Sequence, residues 1–124
     1  MSEELNIGDY VRTKNITFQP SQIAKIQNMQ KDSGYNNQYY IELDHNLLNN
    51  YNFHIYEEDV TKSSPNIIDL IEVGDYVNGC IVINKKDETI QIIQLIIPFD
   101  LKEKDIKSIV TKEQFESMQY KVGE

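Results

Sequence analysis

The chain has 124 residues, 20 acidic against 12 basic, with a formal charge of −8 and a single cysteine. That length suits one compact domain or two very small ones, and the solitary Cys80 removes any cysteine-based zinc cage and fits a reducing compartment. No run of about 18 apolar residues occurs, and the Met-Ser-Glu-Glu start lacks the features of a signal peptide, so a soluble cytoplasmic protein is expected.

Eighteen Ile and eight Tyr favour strands, while twelve Asn and the single Ala24 disfavour long helices. Ile7-Gly8-Asp9-Tyr10-Val11 opens the first predicted strand. The glycine permits a turn, and the aspartate that follows can bond its own backbone there. The same pentapeptide pattern returns 66 positions later as Val73-Gly74-Asp75-Tyr76-Val77, which points to two copies of one unit. Each copy then reaches an acidic element before a β-branched residue, Glu58-Asp59-Val60 in the first and Lys104-Asp105-Ile106 in the second. The spacing is 50 positions from Asp9 to Asp59 and 30 from Asp75 to Asp105, so about 20 extra residues are expected in loops of the first unit.

Within the first unit Tyr39, Ile41 and Leu43 alternate with Tyr40, Glu42 and Asp44, and Phe53 and Ile55 alternate with His54 and Tyr56. This is the period-two pattern of half-buried strands, with one apolar face and one polar, aromatic face. Residues 28–38 and 46–52, rich in Asn, Gln, Ser and Gly, read as the inserted loops. Ser64-Pro65 before Asn66-Ile67-Ile68-Asp69-Leu70 reads as a capped helical turn between the units. In the second unit Asn78-Gly79 suits a type I′ hairpin turn or a bulge. The apolar run from Thr89 to Ile97 slips phase between Ile92 and Ile93, so a bulge or an exposed segment is required. Packing between the units is the first expectation for it and a homodimer contact the second. Thr111-Lys112-Glu113-Gln114 has the form of a capping box opening a two-turn helix with Phe115 and Met118 on one side, and Tyr120 and Val122 are expected to return as a last strand.

The predicted fold is mainly β: two tandem small SH3-like barrels with short helical turns at the junction and the C-terminus. Residues 1–63 form the first unit, 64–71 the junction and 72–124 the second unit. A single mixed sheet built from both units is the competing architecture.

The segment Ser64-Pro65-Asn66-Ile67-Ile68-Asp69-Leu70-Ile71-Glu72-Val73-Gly74-Asp75-Tyr76-Val77-Asn78-Gly79, with Asp105-Ile106-Lys107-Ser108-Ile109-Val110-Thr111-Lys112-Glu113-Gln114-Phe115-Glu116, resembles small proteins of phages and prophages of low-GC Gram-positive bacteria. The likeness covers the second unit and the junction, and is weaker from Asn15 to Tyr56. It implies a phage setting in a bacterial host cytoplasm, where small acidic proteins disable defence machinery, CRISPR nucleases included. It transfers no catalytic residue.

The residues themselves offer little chemistry. Two histidines, His45 and His54, stand near Glu42 and Asp44, a weak metal-ligand pattern. Cys80 has no basic neighbour to activate it and reads as a small buried hydrophobe. The glycines are scattered and none opens a long helix, so no phosphate-cradling or other cofactor motif is present. Both units carry net negative charge, which weighs against a nucleic-acid groove. The stronger constellation is Tyr40, Glu42, Asp44, His54 and Tyr56 with Glu57 and Glu58, an acidic surface set with aromatic rings. Such a surface suits a basic groove on a host defence protein or nuclease complex. The expected function is therefore a non-enzymatic inhibitor without catalytic residues, cofactor or metal. The alternative is a nucleic-acid or nucleotide binding accessory of phage transcription or replication.

Overall fold

The structure, a computed structural model, describes residues 5–15, 20–32, 34, 38–44 and 53–118. Among these residues ten strands form two five-stranded antiparallel sheets. The first holds β1 (Tyr10–Thr13), β2 (Ile23–Asp32), β3 (Gln38–Leu43), β4 (Phe53–Tyr56) and β5 (Val60–Ser64), in the order β4-β3-β2-β1-β5. The second holds β6 (Tyr76–Val77), β7 (Cys80–Lys85), β8 (Thr89–Gln94), β9 (Ile97–Lys102) and β10 (Ile109–Val110), in the order β9-β8-β7-β6-β10. In each, four strands meander and the fifth crosses back to pair with the first. Among the described residues no ladder joins the two edge strands of either sheet into a closed barrel.

Corresponding hydrogen bonds recur in the two sheets. Gly8 N donates to Ile26 O and Gly74 N to Val82 O, both at 2.9 Å, with φ of +97° and +101° at the two glycines. Only glycine holds that left-handed conformation without steric cost. Asp9 N reaches Asn6 O as Asp75 N reaches Glu72 O, at 3.0 Å in each. The register shifts after Ile26 in one sheet and after Val82 in the other. At each shift an asparagine side chain, Asn28 or Asn84, accepts from the next amide, that of Met29 or Lys85. A 3-10 turn precedes the last strand in both, Glu57–Asp59 and Glu103–Asp105, and its final aspartate accepts from the amide of Tyr56 or Lys102.

Gly8 meets Ile26, 18 positions on, whereas Gly74 meets Val82, 8 positions on, so the connection between the first two strands is 10 residues longer in the first sheet. Residues 28–32 of the expected loop belong instead to β2, a ten-residue strand on which Asn28 and Gln30 share a face with Tyr40 and His54. The 46–52 segment lies outside the described residues, as does the return strand expected at Tyr120 and Val122.

Apolar side chains gather in two clusters. Val11, Ala24, Ile26, Ile41, Leu43 and Ile55 fill the first. Ile68, Ile71, Val77, Val82, Ile90 and Ile92 fill the second, with Cys80 partly buried against it. Burying a side chain of this size contributes roughly 1.5–3 kcal/mol, so each cluster is a substantial core. The junction is a 3-10 turn, Ile67–Leu70, and its cap is Asn66, whose side chain accepts from Ile68 N at 3.0 Å. Ser64 bonds the turn from outside, donating to Asp69 at 2.6 Å. Asn78 and Gly79 both have positive φ, as a type I′ hairpin requires. The capping box forms as read: Thr111 N donates to Gln114 Oε1 at 2.9 Å and Gln114 N to Thr111 Oγ1 at 3.1 Å, opening α1 (Lys112–Met118).

The apolar run from Thr89 to Ile97 is a hairpin and not one strand. β8 ends at Gln94, the chain turns through Leu95 and Ile96, and β9 starts at Ile97. Ile90 and Ile92 enter the second core, whereas Leu95 and Ile96 are each 90% exposed. The packing between units expected of this run is absent at its tip. Contact between the sheets is carried instead by Ile23 of β2 against the second cluster, and by polar groups described next.

Candidate functional site

The outer face of β3 and β4 carries the aromatic constellation. Their register sets Tyr40 opposite Tyr56 and Glu42 opposite His54, because Ile41 and Ile55 must both point into the first core. Tyr40 stacks on the diagonal His54, centroids 4.8 Å apart and planes within 8°, and tilts against Tyr56 at 5.1 Å. Aromatic pairs of this geometry contribute about 0.5–1.5 kcal/mol beyond area and hold the rings in fixed positions. His54 is exposed and Tyr40 is 37% exposed, so the rings are offered to solvent. A shallow cleft of about 70 Å³ separates this pair from Asn28 and Gln30 on β2, with Glu42 at its edge.

Other expected site residues serve the fold. Asp44 lies past the end of β3 and accepts from Lys25 N at 3.2 Å, which ties that end to β2. Glu57 accepts from Tyr39 N at 2.9 Å. Glu58 is exposed on the 3-10 turn that follows β4. Tyr40, Glu42, His54 and Tyr56 thus form one cluster, and Asp44, Glu57 and Glu58 stand at its border. His45 lies outside the described residues, and among those described no group of three His, Cys, Asp or Glu is arranged to hold a metal.

The sequence reading missed the most heavily bonded polar group. Arg12, the single arginine of the chain, is 3% exposed. Its Nη1 donates to Asp75 Oδ2 at 2.6 Å and to Leu70 O at 3.0 Å, and its Nη2 to Asp75 Oδ1 at 3.0 Å and Glu113 Oε1 at 3.1 Å. Asp75 is fully buried and also accepts from Glu72 N at 2.8 Å and Lys112 N at 3.0 Å. Burial works against the Arg12 charge, but the hydrogen bond and field of Asp75 outweigh it and raise the guanidinium pKa. Burial likewise opposes ionisation of Glu72, yet hydrogen bonds from Lys112 and Lys62 and the field of Arg12 hold its carboxyl at about 2. Thr111 adds a second tie by donating to Ser21 O of the first sheet. These contacts lock the first sheet to the junction, to the second sheet and to α1. The only hint in the sequence was an unshared arginine together with an aspartate in each turn motif.

Comparison with protein families, characterised proteins and solved structures finds no match for this chain. Among the described residues, no helix is long and apolar enough to cross a membrane.

Proposed function

We propose that the chain is a non-enzymatic, phage-encoded inhibitor that engages a host defence protein, a CRISPR effector nuclease foremost, through the outer face of β3 and β4. The observation that carries this reading is the Tyr40–His54 stack, fixed beside Glu42 on a solvent-facing sheet. Rigid aromatic rings give large contact area at low entropic cost, and a carboxylate beside them suits Arg or Lys on a partner. A nuclease groove that holds phosphate is rich in such cations, so an acidic aromatic face competes for it. The phage setting rests on the resemblance of the Ser64–Gly79 segment.

The same proposal extends to architecture. Each sheet is read as the frame of a small SH3-like barrel, because both share a strand order and a 3-10 turn before the last strand. The two are read as copies of one unit, with the boundaries given above.

Co-purification from a bacterial host carrying CRISPR and other defence systems tests the function. The expected result is retention of a defence component by the wild type and its loss with Tyr40→Ala/His54→Ala. Failure to retain any such component, with no rescue of phage growth, overturns the reading. Salt-sensitive retardation of DNA or RNA in a gel at micromolar protein would favour the nucleic-acid alternative instead.

A further inference from the structure

The β8–β9 hairpin ends in apolar surface that the fold leaves uncovered. Leu95 and Ile96 form its tip, and Ile97 and Phe99 follow on β9, 54% and 44% exposed. The register pairs Phe99 with Ile92 and Leu101 with Ile90, so Ile97 and Phe99 stand on the face that bears the second core, just beyond its edge. From Thr89 to Phe99 there is no ionisable side chain, although the chain as a whole carries −8. The charge that drives copies of this protein apart therefore lies elsewhere on the molecule.

The backbone of β9 limits how this surface can be used. β9 is an edge strand of its sheet. Lys102 N donates outward to Asp105 Oδ2 at 3.1 Å, and the alternation of an antiparallel ladder puts Asp100 and Pro98 on the same outward edge. Pro98 has no N–H and that of Lys102 is taken, so the edge is a poor template for adding strand upon strand. What it offers a partner is side chains. Leu95, Ile96, Ile97 and Phe99 together expose roughly 500 Å² of apolar surface, near the upper end for a single patch on a monomer. Two copies set patch to patch bury about 1,000 Å² in total, the size at which specific association begins.

We propose that the hairpin tip is a self-association surface, on which two copies pack Leu95, Ile96, Ile97 and Phe99 together about a two-fold axis, with a Kd of order 10–100 µM. The two-fold makes each patch its own partner, and the blunted β9 edge stops growth beyond a pair. The uncharged surface lets two acidic chains approach closely. The dimer does not depend on the Tyr40 face, which belongs to the other sheet.

Sedimentation velocity of the full chain from about 2 to 500 µM, a range that brackets this Kd, tests the proposal. The mass is expected to rise from one chain to two and to stop there. Leu95 has a positive φ and Ile96 does not, the turn pattern that Gly followed by Asn suits. Leu95→Gly/Ile96→Asn thus keeps the hairpin and removes its apolar tip. It should remain a single chain throughout the range, with a melting temperature at the lowest concentration no lower than that of the wild type. Ile97→Thr, which keeps the β-branch, should raise the Kd about threefold or more. Raising NaCl from about 50 to 500 mM should leave the Kd unchanged or lower it, because salt screens the repulsion between acidic chains. A single-chain mass at the highest concentration, a dimer that persists in the folded double variant, growth past two chains, or a Kd that rises severalfold with salt would each overturn the proposal. If a protein that stays monomeric binds phosphatidylcholine vesicles through the same tip, a lipid surface and not a second copy is the occupant.

Discussion

Arg12 and Asp75, 63 residues apart in sequence, meet through two hydrogen bonds of 2.6 and 3.0 Å with both side chains removed from solvent. The pair joins β1 to the start of the second sheet; Arg12 also donates to Leu70 O and Glu113 and lies with Nε 3.6 Å from Glu72 Oε2, while Asp75 accepts two backbone amides. Removing one member leaves a buried charge without its counterpart, which costs about 3–5 kcal/mol. Arg12→Ala and Asp75→Ala are each expected to lower stability by that amount in denaturant unfolding. The double variant should lose much less than the sum, because the two effects report one interaction. Additive losses would show that the pair is not coupled.

Glu72 gives the fold a defined acid sensitivity. Its folded pKa of about 2 lies below the ordinary 4.5, so the stabilisation it provides is present above about pH 4.5 and is lost as pH falls towards 2. The group is 31% exposed, and solvent screening reduces its contribution to roughly 1–2 kcal/mol. Glu72→Gln is expected to flatten the decline in stability between pH 4.5 and 2, measured as urea midpoints at several pH values. An unchanged slope would remove Glu72 from this role.

Leu95 sits at φ +60° on the tip of the β8–β9 hairpin with its side chain 90% exposed. A left-handed conformation costs a leucine of order 1 kcal/mol that glycine does not bear, and no core contact is lost on truncation. Leu95→Gly should therefore raise the melting temperature by about 3–6 °C. A decrease would mean that the leucine side chain supports the turn.

Thr111 serves α1 and the first sheet at once, accepting from Gln114 N and donating to Ser21 O while fully buried. Thr111→Val keeps the shape but orphans both partners. A loss of about 2–3 kcal/mol is expected in chemical unfolding, larger than the ~1 kcal/mol usual for a helix cap alone.

What the sequence disclosed was local. The turns at Gly8 and Gly74, the alternation of Ile41 and Leu43 with Tyr40 and Glu42, and the capping box at Thr111 each depend on residues within a few positions of one another. The outward placement of Tyr40 and His54 followed from that alternation. Arg12–Asp75 did not, since nothing local marks which of many carboxylates a distant arginine will find. The break at Leu95 was legible only as a slip of the alternation between Ile92 and Ile93, because the turn has neither Asn nor Gly to mark a hairpin. Asp44 and Glu57 looked like surface acids, and only the tertiary fold shows that each accepts a backbone amide.

The proposed inhibitory face is tested most directly by DNA cleavage in the presence of this protein, using purified CRISPR effector nucleases of the host. Saturating wild-type protein is expected to suppress cleavage by one of them. Tyr40→Ala/His54→Ala and Glu42→Lys proteins of unchanged melting temperature should fail to do so, with the wild-type effect weakening as salt rises. Suppression that survives these substitutions would contradict it, as would unimpeded cleavage by every nuclease assayed.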